Sequence, residues 1–475
     1  MKIRTMLILS VFTGAVFAAE VLSPMQNRTS LNLTIYNTNR ALVQETRKIT
    51  LAKGVSTIRF EGVPATVIPQ SLIVVSNGGF SVLEQNYEFD LISREKLLEK
   101  YVGKEVTLID EDKILSDKSD KKNVSAKIVA NNFLPVFEVG GKILLGFDGK
   151  ILLPEIPENL YAKPTMNWLV QTQKSGDFNV DVSYLTQGIS WNADYVMLLA
   201  DNDKSASITS WITLTNQSGA AFESAKLALV AGDVNMVRGE VMYDANEMAT
   251  GGIMRAAKAS FAEPRVVEQS IDEYHMYSVS GPVTINDRQT KQIEMFSAQN
   301  IKVQKRYRAQ AGHLYAYARH NVSDKGSKLD VQTEIVFETG KKNNLDMPFP
   351  KGVVRIYKKD GANNVFLGED NIDHTPVNQE ITLKSGNAFD ISCFEKKTSE
   401  KRIGDQKTEF SKEIIFSNSK KESVTVMFDE KNLYGKWSIK SDVQYKKIDA
   451  NTARFELSVA PGNDVVLKYT ATIER

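Results

Sequence analysis

Four histidines, one cysteine and two acidic clusters are the groups in this 475-residue sequence that could do chemistry. A catalytic or metal-binding set needs such side chains at spacings that a helix or strand can converge. His275, His313, His320 and His374 contain no i, i+4 pair that would offer two imidazoles to one metal from a helix face. His313 and His320 flank one expected strand and would meet only through a long-range fold. The sequence has no nucleophile elbow, no Gly-rich loop running into a helix and no cysteine pair. Cys393 alternates with Phe389 and Ile391, the pattern of a small buried hydrophobe rather than of a reactive thiol.

Two clusters are oxygen-rich. Glu369, Asp370, Asn371, Asp373 and His374 lie within six residues, and a hard cation such as calcium takes six or more oxygen ligands. The alternating spacing and closing glutamate of an EF-hand are missing, so a solvated turn explains the cluster and no metal is expected. Asp201, Asn202 and Asp203 read as a hairpin tip between Leu199 and Ile208. No cofactor is expected. The one basic stretch with aromatic company is Lys302, Lys305, Arg306 and Arg308 with Tyr307, Tyr315 and Tyr317. It is the candidate binding surface for an anionic glycan or phospholipid. Strand alternation divides it, with Arg306 and Arg308 on one face and Lys305 and Tyr307 on the other. Charges of this kind also protect edge strands from aggregation.

The elements that must position these groups are strands. In Phe178 to Tyr184, the residues Phe178, Val180, Val182 and Tyr184 point one way and Asn179, Asp181 and Ser183 the other. Gly188 turns the chain into a run anchored by Trp191 and Tyr195, and Ile208, Ile212 and Leu214 resume the alternation. Turn signals recur at the spacing of β-sandwiches through to the last pair, Phe455 to Val459 and Val465 to Tyr469. One short helix is predicted over Asp90 to Tyr101, capped by Ser93 and stopped by Gly103. The short strands after it suggest a small barrel-like insert. The predicted class is therefore all-β, with multi-domain β-sandwich-like modules, a small barrel-like part and one short helix. The expected division is a leader over residues 1–18, a β-rich module over 19–160 and a larger β domain over 161–475. Between Arg238 and Tyr274 the strand pattern lapses, which predicts a flexible insertion there.

Charge and composition bound the function. The formal net charge is +1, falling to −1 once Lys2 and Arg4 leave with the leader, a balance unlike that of dedicated nucleic-acid binders. Lys2 and Arg4, the apolar run Met6 to Phe17 and the small-residue site Val16-Phe17-Ala18 read as a signal peptide cleaved before Ala19. No later run reaches the ~20 apolar residues of a spanning helix, so no transmembrane segment is expected after cleavage. An exported chain with a single cysteine must be stabilised by its cores rather than by disulfides.

A family resemblance accompanies this pattern. The segments SYLTQGISWNADYVMLL, ITLTNQSGAAFESAKLALVAGDVN, VTINDRQTKQIEMFSA, FPKGVVRIYKKDG, FLGEDNIDHTPVNQEITL and APGNDVVLKYT resemble the domain of unknown function 4139 family, from about Trp168 to the C-terminus. That family is also found in mucoidy-inhibitor-A-like proteins. The segment LTIYNTNRALVQETRKITLAKGVSTIRFEGVPATVIPQSLIVVS resembles the β-rich module that usually precedes it. The resemblance implies a cell-envelope, periplasmic setting and supplies no catalytic residue. The expected role is binding or scaffolding, with another envelope protein or an envelope glycan as partner. The alternative is a carbohydrate-active or other hydrolase on a β scaffold, which would need two carboxylates ~5–10 Å apart in a cleft.

Overall fold

The computed structural model describes residues 19–474 except 77–78, 89, 110–122, 158–159, 233–265, 313–321, 324, 362 and 405. Strand makes up 72% of the described residues and helix 3%, so the all-β expectation holds. The described residues form two compact units, one drawn from 19–190, 215–228 and 281–289, the other from 191–214, 229–280 and 290–474.

In the first unit the hairpin of Arg28–Tyr36 and Arg40–Leu51 is extended by Gly176–Gln187, which pairs with Arg40–Leu51 along its whole length. The alternation read from Phe178 to Tyr184 is realised, because all four large side chains are buried. They face a four-stranded sheet ordered Ala19–Ser23, Gly54–Glu61, Thr165–Thr172 and Phe80–Glu88. Phe178 meets Phe80 edge-on at 6.0 Å, and Phe60 lies 4.8 Å from Trp168. This core also holds a charge. Arg47 is fully buried, with its guanidinium 3.5 Å above the Phe60 ring. It donates to the carbonyls of Ser23 and Glu61 at 2.7 and 2.9 Å and to the Glu45 carboxylate. Burial lowers the Arg47 pKa despite the opposing pull of Glu45. A dry cation survives only when its donors are matched in this way.

The predicted helix is Arg94–Lys100. Ser93 Oγ accepts from the Lys96 amide at 3.2 Å, and Gly103 takes the left-handed conformation just past the end. The helix buries Leu98, with Tyr101 at its end, against Val106, Leu108, Ala126, Ile128 and Phe137. The sheet it covers is five-stranded and open, ordered Lys142–Leu145, Pro135–Val139, Asn123–Asn131, Glu105–Ile109 and Lys150–Leu152. It does not close into a barrel. One helix covers one face, and the two edge strands are only four and three residues long, too short to curl round and pair.

The second unit contains two six-stranded sheets and one five-stranded sheet. The first six-stranded sheet is ordered Glu380–Asn387, Val331–Glu338, Gln304–Gly312, Val424–Lys431, Thr452–Val459 and Tyr445–Asp449. The second runs Val322–Ser323, Gly326–Leu329, Ile391–Ile403, Lys407–Asn418, Asp464–Glu474 and Lys436–Ser441. Tyr307, Phe428 and Phe455 from the first share one core with Cys393, Phe410, Phe416 and Tyr469 from the second. The five-stranded sheet is organised on Tyr195, which stacks on Phe349 at 5.3 Å and donates to the Pro350 carbonyl at 2.7 Å. Cys393 is buried, as its alternation with Ile391 predicts. Phe389 breaks that alternation, because it precedes the strand and is fully exposed.

The segment expected to lapse is shorter at its C-terminal end than the sequence suggests. Residues 238–265 lie outside the described residues, but Val266–Ile271 is a strand paired with Tyr274–Ile285. Only Val266 in it is buried. An edge strand with one buried side chain carries no period-2 signal. The expected leader, residues 1–18, also lies outside the described residues.

Candidate functional site

The second unit has a cleft of about 220 Å³. Its floor comes from two neighbouring strands. Lys305 and Tyr307 in Gln304–Gly312 are register partners of Ile335 and Thr333 in Val331–Glu338, so all four point to one side. One wall is Glu380–Asn387, where a bulge opposite Thr333 and Glu334 sets Ser385 and Gly386 beside the floor. Leu367 reaches the cleft from Asn363–Ile372. That approach needs Gly368, where a Cβ would lie 2.4 Å from the Ser385 carbonyl oxygen.

The other wall is the turn Ala388-Phe389-Asp390. Its backbone is pinned on both sides: the Ala388 amide donates to the Val331 carbonyl at 2.7 Å, and the Asp390 carbonyl accepts from the Ser419 amide at 2.8 Å. A fully exposed phenyl ring is thus carried at the cleft on a fixed backbone. Lys420 lies above the Tyr307 ring at 5.9 Å and 4.0 Å from Asp390, the outer limit of an ion pair. Lys305 pairs with Asp203 at 3.0 Å, and Asp203 takes Lys358 as well, at 2.6 Å. Burial works to raise the Asp203 pKa, but the two lysines outweigh it and hold the carboxyl below the usual range. The lining carries Lys305 and Lys420 against Asp390, a net positive charge of one, and Asp203 with its second lysine Lys358 lies outside the lining.

The basic stretch singled out from the sequence is divided as its alternation predicts. Tyr307 is in the sandwich core and lines the cleft floor. Arg308, on the opposite face, is held by Glu334 at 2.6 Å and Asp429 at 2.9 Å, and Arg454 holds the same Asp429 at 2.7 Å. Burial works to lower the Arg308 pKa, but the two carboxylates prevail and raise it. Arg306 pairs with Glu380 at 3.3 Å and donates to Gln304. Tyr315 and Tyr317 lie outside the described residues, as do His313 and His320.

The acidic cluster is committed to backbone and to arginine. Asp370 accepts from the amides of Asn371 and Lys384 at 2.9 and 2.7 Å, Glu369 pairs with Arg355 at 3.4 Å, and His374 Nδ1 accepts from the Lys351 amide. The Asp373 carbonyl accepts from Thr375. Among the described residues no group of three or more His, Cys, Asp or Glu side chains is placed to share a metal ion. His275 pairs with Glu268 across a hairpin at 2.7 Å.

The core of the six-stranded pair contains a dense buried ionic group. Lys412 Nζ lies 2.9 Å from both carboxylate oxygens of Glu430. It is also 2.6 Å from Glu395 Oε1, close but off the hydrogen-bonding axis. Tyr469 donates its hydroxyl to Glu430. The Lys412 and Glu430 side chains have no exposure to solvent. Burial raises the Glu430 pKa against the pull of Lys412, and burial pushes the Tyr469 phenol well up.

The sequence singles out Lys305 and Tyr307 but misses the rest of the cleft. Phe389 reads from the sequence as part of the alternation with Ile391 and Cys393, and the turn residues Gly386-Asn387-Ala388 before it are the signal that it stands outside the strand. Lys420 reaches Tyr307 from more than a hundred residues away, and spacing carries no trace of that approach.

A family model for an N-terminal domain of unknown function (DUF4140) matches residues 33–128. The matched stretch runs from the first hairpin through the helix Arg94–Lys100 into the open five-stranded sheet. No curated protein matches the chain. Among the described residues no helix is long and apolar enough to cross a membrane. By sequence, then, residues 33–128 are similar to a domain whose function is itself undescribed.

Proposed function

We propose that this chain is an exported protein of the cell envelope, acting in the periplasm as a binding or scaffolding module. Its cleft of Tyr307, Phe389 and Lys420 is the binding site. The observation that carries the reading is Phe389: a fully exposed phenyl ring held on a pinned turn beside a cavity lined by Tyr307, Ile335 and Leu367 together with polar and charged side chains. Exposing such a ring has a cost in water, and rigid aromatic anchors are what binding sites use. The export part rests on the leader-like first eighteen residues. The envelope setting rests on the resemblance of the stretch from Trp168 onward to the domain of unknown function 4139 family of mucoidy-inhibitor-A-like proteins. The family match over residues 33–128 agrees with an arrangement in which a β-rich module precedes that family's domain.

The competing hydrolase reading asks for a carboxylate pair in a cleft. The lining residues of this cleft include one carboxylate, Asp390, which favours binding over hydrolysis. The test is to immobilise the mature chain and expose it to envelope extract, beside a Phe389→Ala/Lys420→Gln variant. Material retained by the wild type and lost by the variant, with equal melting temperatures, is the expected result. Equal retention by both proteins, or steady release of new reducing ends from an envelope glycan preparation, would overturn the reading.

A further inference from the structure

If the cleft is a binding site, as proposed for it, three of its features together narrow what can enter. The first is size. About 220 Å³ corresponds to about seven waters at ~30 Å³ each, room for one six-membered ring with its substituents. It is below the ~300 Å³ at which drug-sized pockets begin. The second is the chemistry of the lining. Phe389 offers a flat apolar face, and Asn387, Thr333 and Ser385, the last already donating to the Thr333 carbonyl, offer polar groups in the same lining. A ring with one apolar C–H face and an edge of hydroxyls matches that mixture, whereas a planar aromatic would leave Asn387 and the Thr333 hydroxyl without a ligand partner. The third is charge. Two lysines stand against one carboxylate in the lining, and Lys420 is the less satisfied: 4.0 Å from its carboxylate and about a quarter exposed, whereas Lys305 is 3.0 Å from Asp203. It is held in place by the face of Tyr307.

We infer that the cleft binds a carboxylate-bearing sugar ring, a uronic-acid type residue in an envelope glycan; this rests on the cleft being the binding site. The C–H face lies on Phe389, and the carboxylate pairs with Lys420, with Lys305 the second cation of the lining. A neutral sugar leaves Lys420 with its distant partner and gains only the stacking.

The probes are methyl glucuronide, methyl glucoside and acetate, each titrated against the mature chain by saturation-transfer NMR. Methyl glucuronide is expected to bind at least tenfold more tightly than methyl glucoside, with acetate showing no saturation transfer. Phe389→Ala should lower affinity for both sugars about tenfold. Lys420→Gln should lower it for the glucuronide alone, erasing the preference. Both side chains project from turns, and unchanged thermal melts will show that the variants are folded. Equal affinity for the two sugars, or a preference that survives Lys420→Gln, overturns the inference. If neither sugar binds while Phe389→Ala/Lys420→Gln still abolishes retention from envelope extract, the acidic-sugar inference fails and the binding reading stands. If retention is also indifferent to those substitutions, both fail.

Discussion

Replacing Lys412 with methionine removes the ammonium from a core group that contains two carboxylates. The wild-type group is balanced by contact: Nζ lies 2.9 Å from both Glu430 oxygens and 2.6 Å from Glu395, and Tyr469 donates to Glu430. Methionine keeps most of the volume beside Phe410, so little of the loss will come from packing. What remains is a pair of buried carboxyl groups with one hydroxyl donor between them. Removing one partner of a buried ion pair costs about 3–5 kcal/mol. A protein of ordinary stability has about 5–15 kcal/mol in all. In a cooperative unit of this size, that loss lowers the melting temperature by on the order of 10 °C.

The pH dependence has a definite sign. Glu430 is raised above its ordinary value of 4.5 in the fold by burial, so the folded state holds its proton more tightly than the unfolded chain does. The stability this group contributes is fully present below about 4.5 and is lost as pH rises through the raised value. Without Lys412 the main influence lowering that value is gone. The penalty of Lys412→Met should therefore be larger at pH 8 than at pH 5. Urea unfolding of wild type and variant at both pH values, followed by tryptophan fluorescence, measures it. Adding Glu430→Gln and Glu395→Gln to Lys412→Met should return much of the loss at pH 8, because neutral amides no longer leave buried charge. A penalty under ~1 kcal/mol, well below the range for a broken buried pair, or one that is greater at pH 5, would refute the account of this group as a buried ion triad.

Two further outcomes rest on the geometry. Arg308→Ala should cost about 3 kcal/mol in urea unfolding, because it strips a cation from the buried Glu334 and Asp429 carboxylates, whereas Arg306→Ala, whose partner Glu380 is exposed, should cost less than ~1 kcal/mol. Gly352→Ala should cost about 3 kcal/mol or more by overpacking, since its Cβ would lie 2.0 Å from the Ala193 carbonyl oxygen, where the two strands run parallel; a variant that melts with the wild type would show that this pairing is looser than described.

What the sequence determined by itself is local and periodic. The side-chain period of a strand is two, so Phe178, Val180, Val182 and Tyr184 declare their buried face without any knowledge of the partner sheet. The Ser93 cap and the Gly103 stop are equally local, since each satisfies backbone groups within a few residues, and the helix appears where they put it. The split of Arg306 and Arg308 from Lys305 and Tyr307 comes from the same alternation. What each face would meet was not legible. Arg308 reads as a free basic residue until Glu334 and Asp429, 26 and 121 residues away, are folded against it. The short strand Val266–Ile271 has one buried side chain and so no pattern to read. The open five-stranded sheet has the short strands expected of a barrel, and only the lengths of its paired edges decide that it stays open.

The cleft depends most on the tertiary structure. Tyr307, Phe389 and Lys420 come from three separate segments, and their approach is set by strand order, a parallel pairing of Gln304–Gly312 with Val424–Lys431, and a bulge in Glu380–Asn387. Strand order and bulges are fixed by the sum of many weak long-range contacts. No residue or short segment encodes them, so the alternation of this chain specified its sheets while the folded structure alone specified its site.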